Sequence, residues 1–116
     1  MHRAGRHRRR SELYRSRRED PRVTARARAF FEQLQTGKED YTAMTPRLAQ
    51  RLKSFASVYA SEFAGYGKPT DVVFHNERDV AGQRRFAYVL HFGPGVELSF
   101  GLTVDNAGLI AGLSFG

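Results

Sequence analysis

The sequence predicts an α+β fold: two N-terminal helices packed on one face of a four-stranded antiparallel meander. Three observations carry this. Two segments in the first half place apolar residues at helical spacing behind an N-cap and proline signal. After Pro69 the period of the apolar pattern drops from 3.6 to 2. Three short turns, each holding glycine, then divide the second half into four strands.

The first helix opens at Asp20-Pro21, an N-cap followed by a residue suited to the first helical position. Val23, Ala27, Phe30, Phe31 and Leu34 form one stripe, and Gly37 supplies a left-handed stop, so the helix runs over 21–36. Thr45-Pro46 repeats the opening signal. Leu48, Leu52, Phe55, Tyr59 and Phe63 step by four, three, four and four, and Gly65 and Gly67 end a helix over 46–64. Tyr41 and Met44 are expected to pack down from the link between the helices.

In the second half, Val72, Phe74 and Asn76 alternate with Asp71, Val73, His75 and Glu77. Turns at Ala81-Gly82, Gly93-Pro94-Gly95 and Asp105 to Gly108 separate this strand from those built on Phe86–Phe92, Val96–Val104 and Leu109–Phe115. Pairing across the second turn sets Leu90 opposite Leu98 and Tyr88 opposite Phe100. Pairing across the third sets Val104 opposite Leu109 and Leu102 opposite Ala111. Even-numbered side chains before Asp105, and odd ones after it, then share one apolar face, which the two helices must cover. The opposite face carries Val73, Val89 and Ile110 among polar residues. That stripe predicts a homodimer through the exposed sheet face.

Charge is distributed unevenly. The chain has 116 residues and a net charge of +7, yet residues 1–28 hold eleven Arg against Glu12, Glu19 and Asp20, giving +8, while the remainder comes to −1. Residues 1–20 offer too little apolar surface to fold and read as a disordered basic tail ahead of a 21–116 domain. Arg8, Arg9, Arg10, Arg17 and Arg18 are its anion-binding candidates. Without interleaved aromatics the tail suits only nonspecific contact with nucleic acid or an anionic surface; a solvated linker, or upstream coding sequence included by a wrong start, is the favoured explanation. Zero Cys excludes disulfides, thiolate metal sites and Cys nucleophiles. No apolar run approaches the ~18 residues of a membrane span. The charged N-terminus lacks a following apolar stretch, so the chain reads as cytoplasmic as written and as exported only if its start lies elsewhere.

One polar set stands out on the exposed face. His91 falls opposite Glu97, and pairing Phe74 with Leu90 sets His75 diagonal to His91. A carboxylate beside His suits proton transfer, and a His-His-Glu set is also a conceivable zinc ligand set. Ordinary polar alternation on a solvated sheet face is the simpler explanation of the three and the one favoured, and no metal or cofactor is expected. The glycine turns carry no phosphate-loop signature, and Ser54, Ser57 and Ser61 have no nucleophile elbow.

The run Ala29-Phe30-Phe31-Glu32-Gln33-Leu34 with Gly37, the stretch Leu102-Thr103-Val104-Asp105-Asn106-Ala107-Gly108, and the ending Leu109-Ile110-Ala111-Gly112-Leu113 carry a family likeness. With them the chain resembles the nuclear transport factor 2-like and SnoaL-like superfamily, of cystatin-like fold. It is most similar to short bacterial members of unknown function that stand alone or ahead of serine hydrolase (beta-lactamase-like) domains. The resemblance covers about 21–116, and it implies a serine hydrolase as a partner or neighbour. Larger members have about three N-terminal helices and a deep pocket, whose enzymes use an Asp or an Asp/His pair facing Tyr or acid donors. Here two helices leave little room for such a pocket. Its candidate lining is Tyr88, Asn76 and Tyr59, with Tyr41 nearby. Asp71, Glu77, Glu97 and Asp105 are expected outside it or at turns, so no catalytic set is assigned. The expected role is a non-catalytic accessory, binding or dimerisation domain. The alternatives are a SnoaL-like small-molecule enzyme or binder, and nonspecific nucleic-acid binding through the tail.

Overall fold

The computed structural model describes residues 19–116. Helix α1 spans Pro21–Thr36 and helix α2 spans Pro46–Phe63. Each start is set by its cap. The Asp20 carboxylate accepts the Arg22 N–H at 3.0 Å, and Thr45 Oγ1 accepts the Leu48 N–H at 3.3 Å. Gly37 ends α1 at φ 70° and donates its N–H to the Gln33 carbonyl. The helices bury Ala27, Phe30, Phe31 and Leu34 from α1, and Leu48, Ala49, Leu52 and Phe63 from α2.

Phe55 departs from the expected stripe and is 47% exposed. At 100° per residue it lies about 70° from the centre of the arc formed by Leu48, Ala49, Leu52 and Phe63. The helix is rotated to bring the small Ala49 into the core, which turns Phe55 out to its margin.

Strands β1 (Asp71–Val80), β2 (Gln83–His91), β3 (Glu97–Val104) and β4 (Ile110–Phe115) form one antiparallel sheet in the order β1-β2-β3-β4. The β2–β3 register is the expected one, with Leu90 opposite Leu98 and Tyr88 opposite Phe100. Phe86, Tyr88, Leu90, Phe100 and Leu102 are at most 2% exposed beneath the helices. Phe31 sits at the centre of the core, its ring centroid 5.2 Å from Phe63, 5.7 Å from Phe92 and 5.9 Å from Phe100.

Two irregularities change which side chains turn inward. The first lies in β1: Phe74 pairs with Tyr88, but Asn76 pairs with Ala87, leaving His75 as the extra residue of a bulge. The inner and outer faces exchange at that point. Asn76, expected inside, faces outward and is exposed, whereas Glu77, expected outside, pairs with Phe86 and is 8% exposed on the inner face. The second lies at the start of β4. Val104 pairs with Ile110 rather than Leu109, and Leu102 pairs with Leu113 rather than Ala111. Ile110 is therefore a core residue, 2% exposed, and not part of the open-face stripe. Leu113 and Phe115 still pack inward.

Candidate functional site

The helices fill one side of the sheet, and two regions stand out among the described residues where side chains meet space or charge. One is the inner corner at the bulge. Glu77 Oε2 accepts the Arg84 Nε–H at 2.5 Å, and the Arg84 guanidinium lies 4.9 Å from the centre of the Phe86 ring. That bond to Glu77 is the first cause of an upward shift in the Arg84 pKa. Next along the sheet, the Tyr88 hydroxyl accepts a long bond of 3.5 Å from Thr24 Oγ1. Burial pushes the Tyr88 phenol above its ordinary pKa, with the Thr24 bond opposing the shift. Tyr88 is 2% exposed and packs edge-on against Phe74 at 5.9 Å. A protonated phenol and an ion-paired carboxylate thus stand side by side, packed among core side chains.

The other region is the outer face of the sheet. Its registers set side chains in rows across the strands. Arg78, Arg85 and Thr103 form a basic row, and Asp71, His91 and Glu97 form an acidic one. Between them lie Asn76, Ala87, Gly101 and Ser114, then Val73, Val89 and Ser99. Six residues along β2 separate Arg85 from His91, so the two charged rows stand about 20 Å apart. The small residues leave an open groove of about 510 Å³, walled by His75, Arg78 and Arg85 and floored by Ala87, Val89, Ser99 and Gly101. A methyl group at Gly101 would meet Ser114 Oγ, which would have to swing to another rotamer to admit it.

His91 and Glu97 are opposite one another, as the turn predicts. His75 does not stand diagonal to them: Phe74 pairs with Tyr88 rather than Leu90, two residues from the expected register, so Val73 takes the place opposite Val89 and His75 becomes the extra residue of the bulge. Among the described residues no three His, Cys, Asp or Glu side chains converge to hold a metal ion. Tyr59 is half-buried, its ring stacked on Phe63 at 6.0 Å, and it lines a separate cavity of about 130 Å³ with Arg47, Arg51 and Leu113. Tyr88, Asn76 and Tyr59 therefore do not line one pocket: they lie in the core, on the outer face and beside β4. Tyr41 holds the link between the helices, donating to Glu39 at 3.4 Å. Arg8, Arg9, Arg10, Arg17 and Arg18 lie outside the described residues. Sequence reasoning missed Glu77 on the inner face and the Arg78–Arg85 row. The bulge leaves no hydropathic trace, because Asn76 and Glu77 are both polar and either suits a solvated face.

With its helical layer and sheet, the chain is a two-layer α+β domain with one open sheet face. Comparison with family models, with curated proteins and with solved structures finds no match to this chain.

Proposed function

We propose that the protein is a non-catalytic binding module that dimerises through the open face of its sheet, in keeping with the resemblance to the nuclear transport factor 2-like and SnoaL-like superfamily. The single observation that carries this is the charge layout of that face. A two-fold axis lying in the interface and perpendicular to the strands turns the face end over end. It sets the Arg78–Arg85 row of one copy over the Asp71–Glu97 row of the other. The middle rows then meet, and the exposed Val73 and half-buried Val89 gain cover. An axis along the strands would instead oppose like charges. The contact is isologous and closes after two copies. The helical face is already occupied by core side chains, so the open face is where binding energy remains to be gained.

Light scattering at tens of micromolar is expected to give a dimer. Asp71→Arg and Arg78→Asp should each shift it toward monomer, and the two together should restore it, because the axis sets Arg78 of one copy over Asp71 of the other. A clean monomer in the unmodified protein, or a double variant no better than either single one, would overturn the reading.

A further inference from the structure

β4 closes one edge of the sheet, and its outer side is only partly covered. At its start the chain supplies its own cover: Met44 forms a parallel bridge with Ile110, and the Thr45 N–H donates to the Ile110 carbonyl at 2.9 Å. Pro46 then turns the chain into α2, and the pairing stops. Arg26 holds this stub in place, donating to the Ala43 carbonyl at 3.2 Å and the Gly108 carbonyl at 2.6 Å. Further along, Ser99 and Gly116 exchange both main-chain bonds, at 3.2 and 3.1 Å. By alternation Ser114 and Gly112 also direct their main-chain groups toward β3. The N–H and C=O groups of Leu113 and Phe115 therefore point to the open side of β4.

Helix α2 flanks that open side and runs in the same direction as β4. Its first turn lies by Ile110, and Tyr59 and Phe63 lie by Phe115, with ring centroids at 5.9 and 4.8 Å. Arg47, Arg51 and Tyr59 line the cavity between helix and strand with Ala111, Gly112 and Leu113. Phe55, the residue the core left exposed, stands four residues after Arg51 and four before Tyr59. Four helical residues rise about 6 Å, close to the ~6.7 Å between alternate residues of a strand. An extended segment alongside β4 would thus meet Arg47, Arg51 and then Phe55 with three successive side chains of one face.

We infer that this edge is a docking site for an extended acidic segment of another protein, which adds to the sheet as a fifth strand beside β4. Main-chain bonds to Leu113 and Phe115 supply the pairing. Arg47 and Arg51 select two acidic residues at alternate positions, and Phe55 with Tyr59 selects an aromatic or aliphatic residue next in the same series. The Arg-rich first 18 residues of the chain carry the same sign as Arg47 and Arg51, so they are not the occupant. The opposite edge, β1, is blunted by its bulge and by exposed Asp71, Arg78 and Asp79. A dimer through the open face would leave the β4 edge accessible, so this inference stands independently of that one.

The experiment uses two fluorescein-labelled peptides of opposite sense, TEVEVFVT and TFVEVEVT, titrated into the full chain and followed by anisotropy, with amide shifts recorded by NMR. One sense is expected to saturate below about 1 mM, with shifts centred on Leu113 and Phe115. Arg47→Glu with Arg51→Glu should weaken it at least tenfold, and a peptide with Lys in place of both Glu should bind that variant instead. This rescue separates lost recognition from lost folding. N-methylation of the peptide on its strand-facing amides should abolish binding. The inference is overturned if neither sense saturates, if reversing the two arginines changes nothing, if the charge-swapped peptide fails to rescue, or if the shifts map to Ala87 and Ser99 on the open face. It is equally overturned if the Leu113 and Phe115 amides are already protected from hydrogen exchange without peptide, since a second copy would then occupy the edge.

Discussion

The two faces of the sheet are built from the same four strands and alternate residue by residue, yet they differ in almost every physical respect. Beneath the helices, Leu90 and Leu102 are fully buried and the large aromatic rings interlock around Phe31. Across the backbone from them lie Ala87, Val89, Ser99 and Gly101, small side chains flanked by opposed charges. The inner face is filled by core side chains, and the outer one leaves an open groove between its charged rows. Alternation alone separates them, so one inserted residue is enough to move a side chain between the two environments. The bulge at His75 does this to Glu77.

The largest expected effect breaks the inner face. Leu102→Ala removes a fully buried side chain against Phe86 and should destabilise the domain by about 2–5 kcal/mol. Val89→Ala, one strand over on the outer face, should cost under about 1 kcal/mol. Urea unfolding of the two variants measures the contrast directly, and equal costs would erase it.

A pH titration sharpens the same contrast. The folded state keeps the buried Tyr88 phenol protonated where an exposed tyrosine ionises, near pH 10. The unfolded chain therefore gives up that proton first, and stability falls as pH rises through the ordinary tyrosine range. Tyr88→Phe should flatten this alkaline decline. Tyr41, shifted upward by burial and by Glu39, has the same sign and should leave part of the slope in place.

The smallest effect concerns the bulge. Deleting His75 joins Phe74, which faces inward, to Asn76, which faces outward, and so restores regular alternation. The change in stability is expected to stay within about 1 kcal/mol, with the Glu77–Arg84 pair intact by NMR.

Much of this architecture was legible because local signals agreed. Asp20-Pro21 with Gly37, and Thr45-Pro46 with the glycines after Phe63, mark helix ends to within a residue, since caps act on neighbouring backbone groups. The turn at Gly93–Gly95 sets the β2–β3 register, which placed His91 opposite Glu97. The candidate site was less legible. Asn76 and Glu77 exchanged faces, Ile110 went to the core, and Phe55 went out of it, each for a reason that lies in a neighbouring element.

By itself the sequence determined the element order, the ends of both helices, the meander and the central strand pair, all of which follow from contacts within a few residues or across a tight turn. Only the tertiary structure decided where the strands take an extra residue, which way α2 rotates, and hence which charges share the open face. Those choices depend on how the helical layer and the sheet fit together. Packing of that kind is a property of facing surfaces, and neither strand nor helix records it alone.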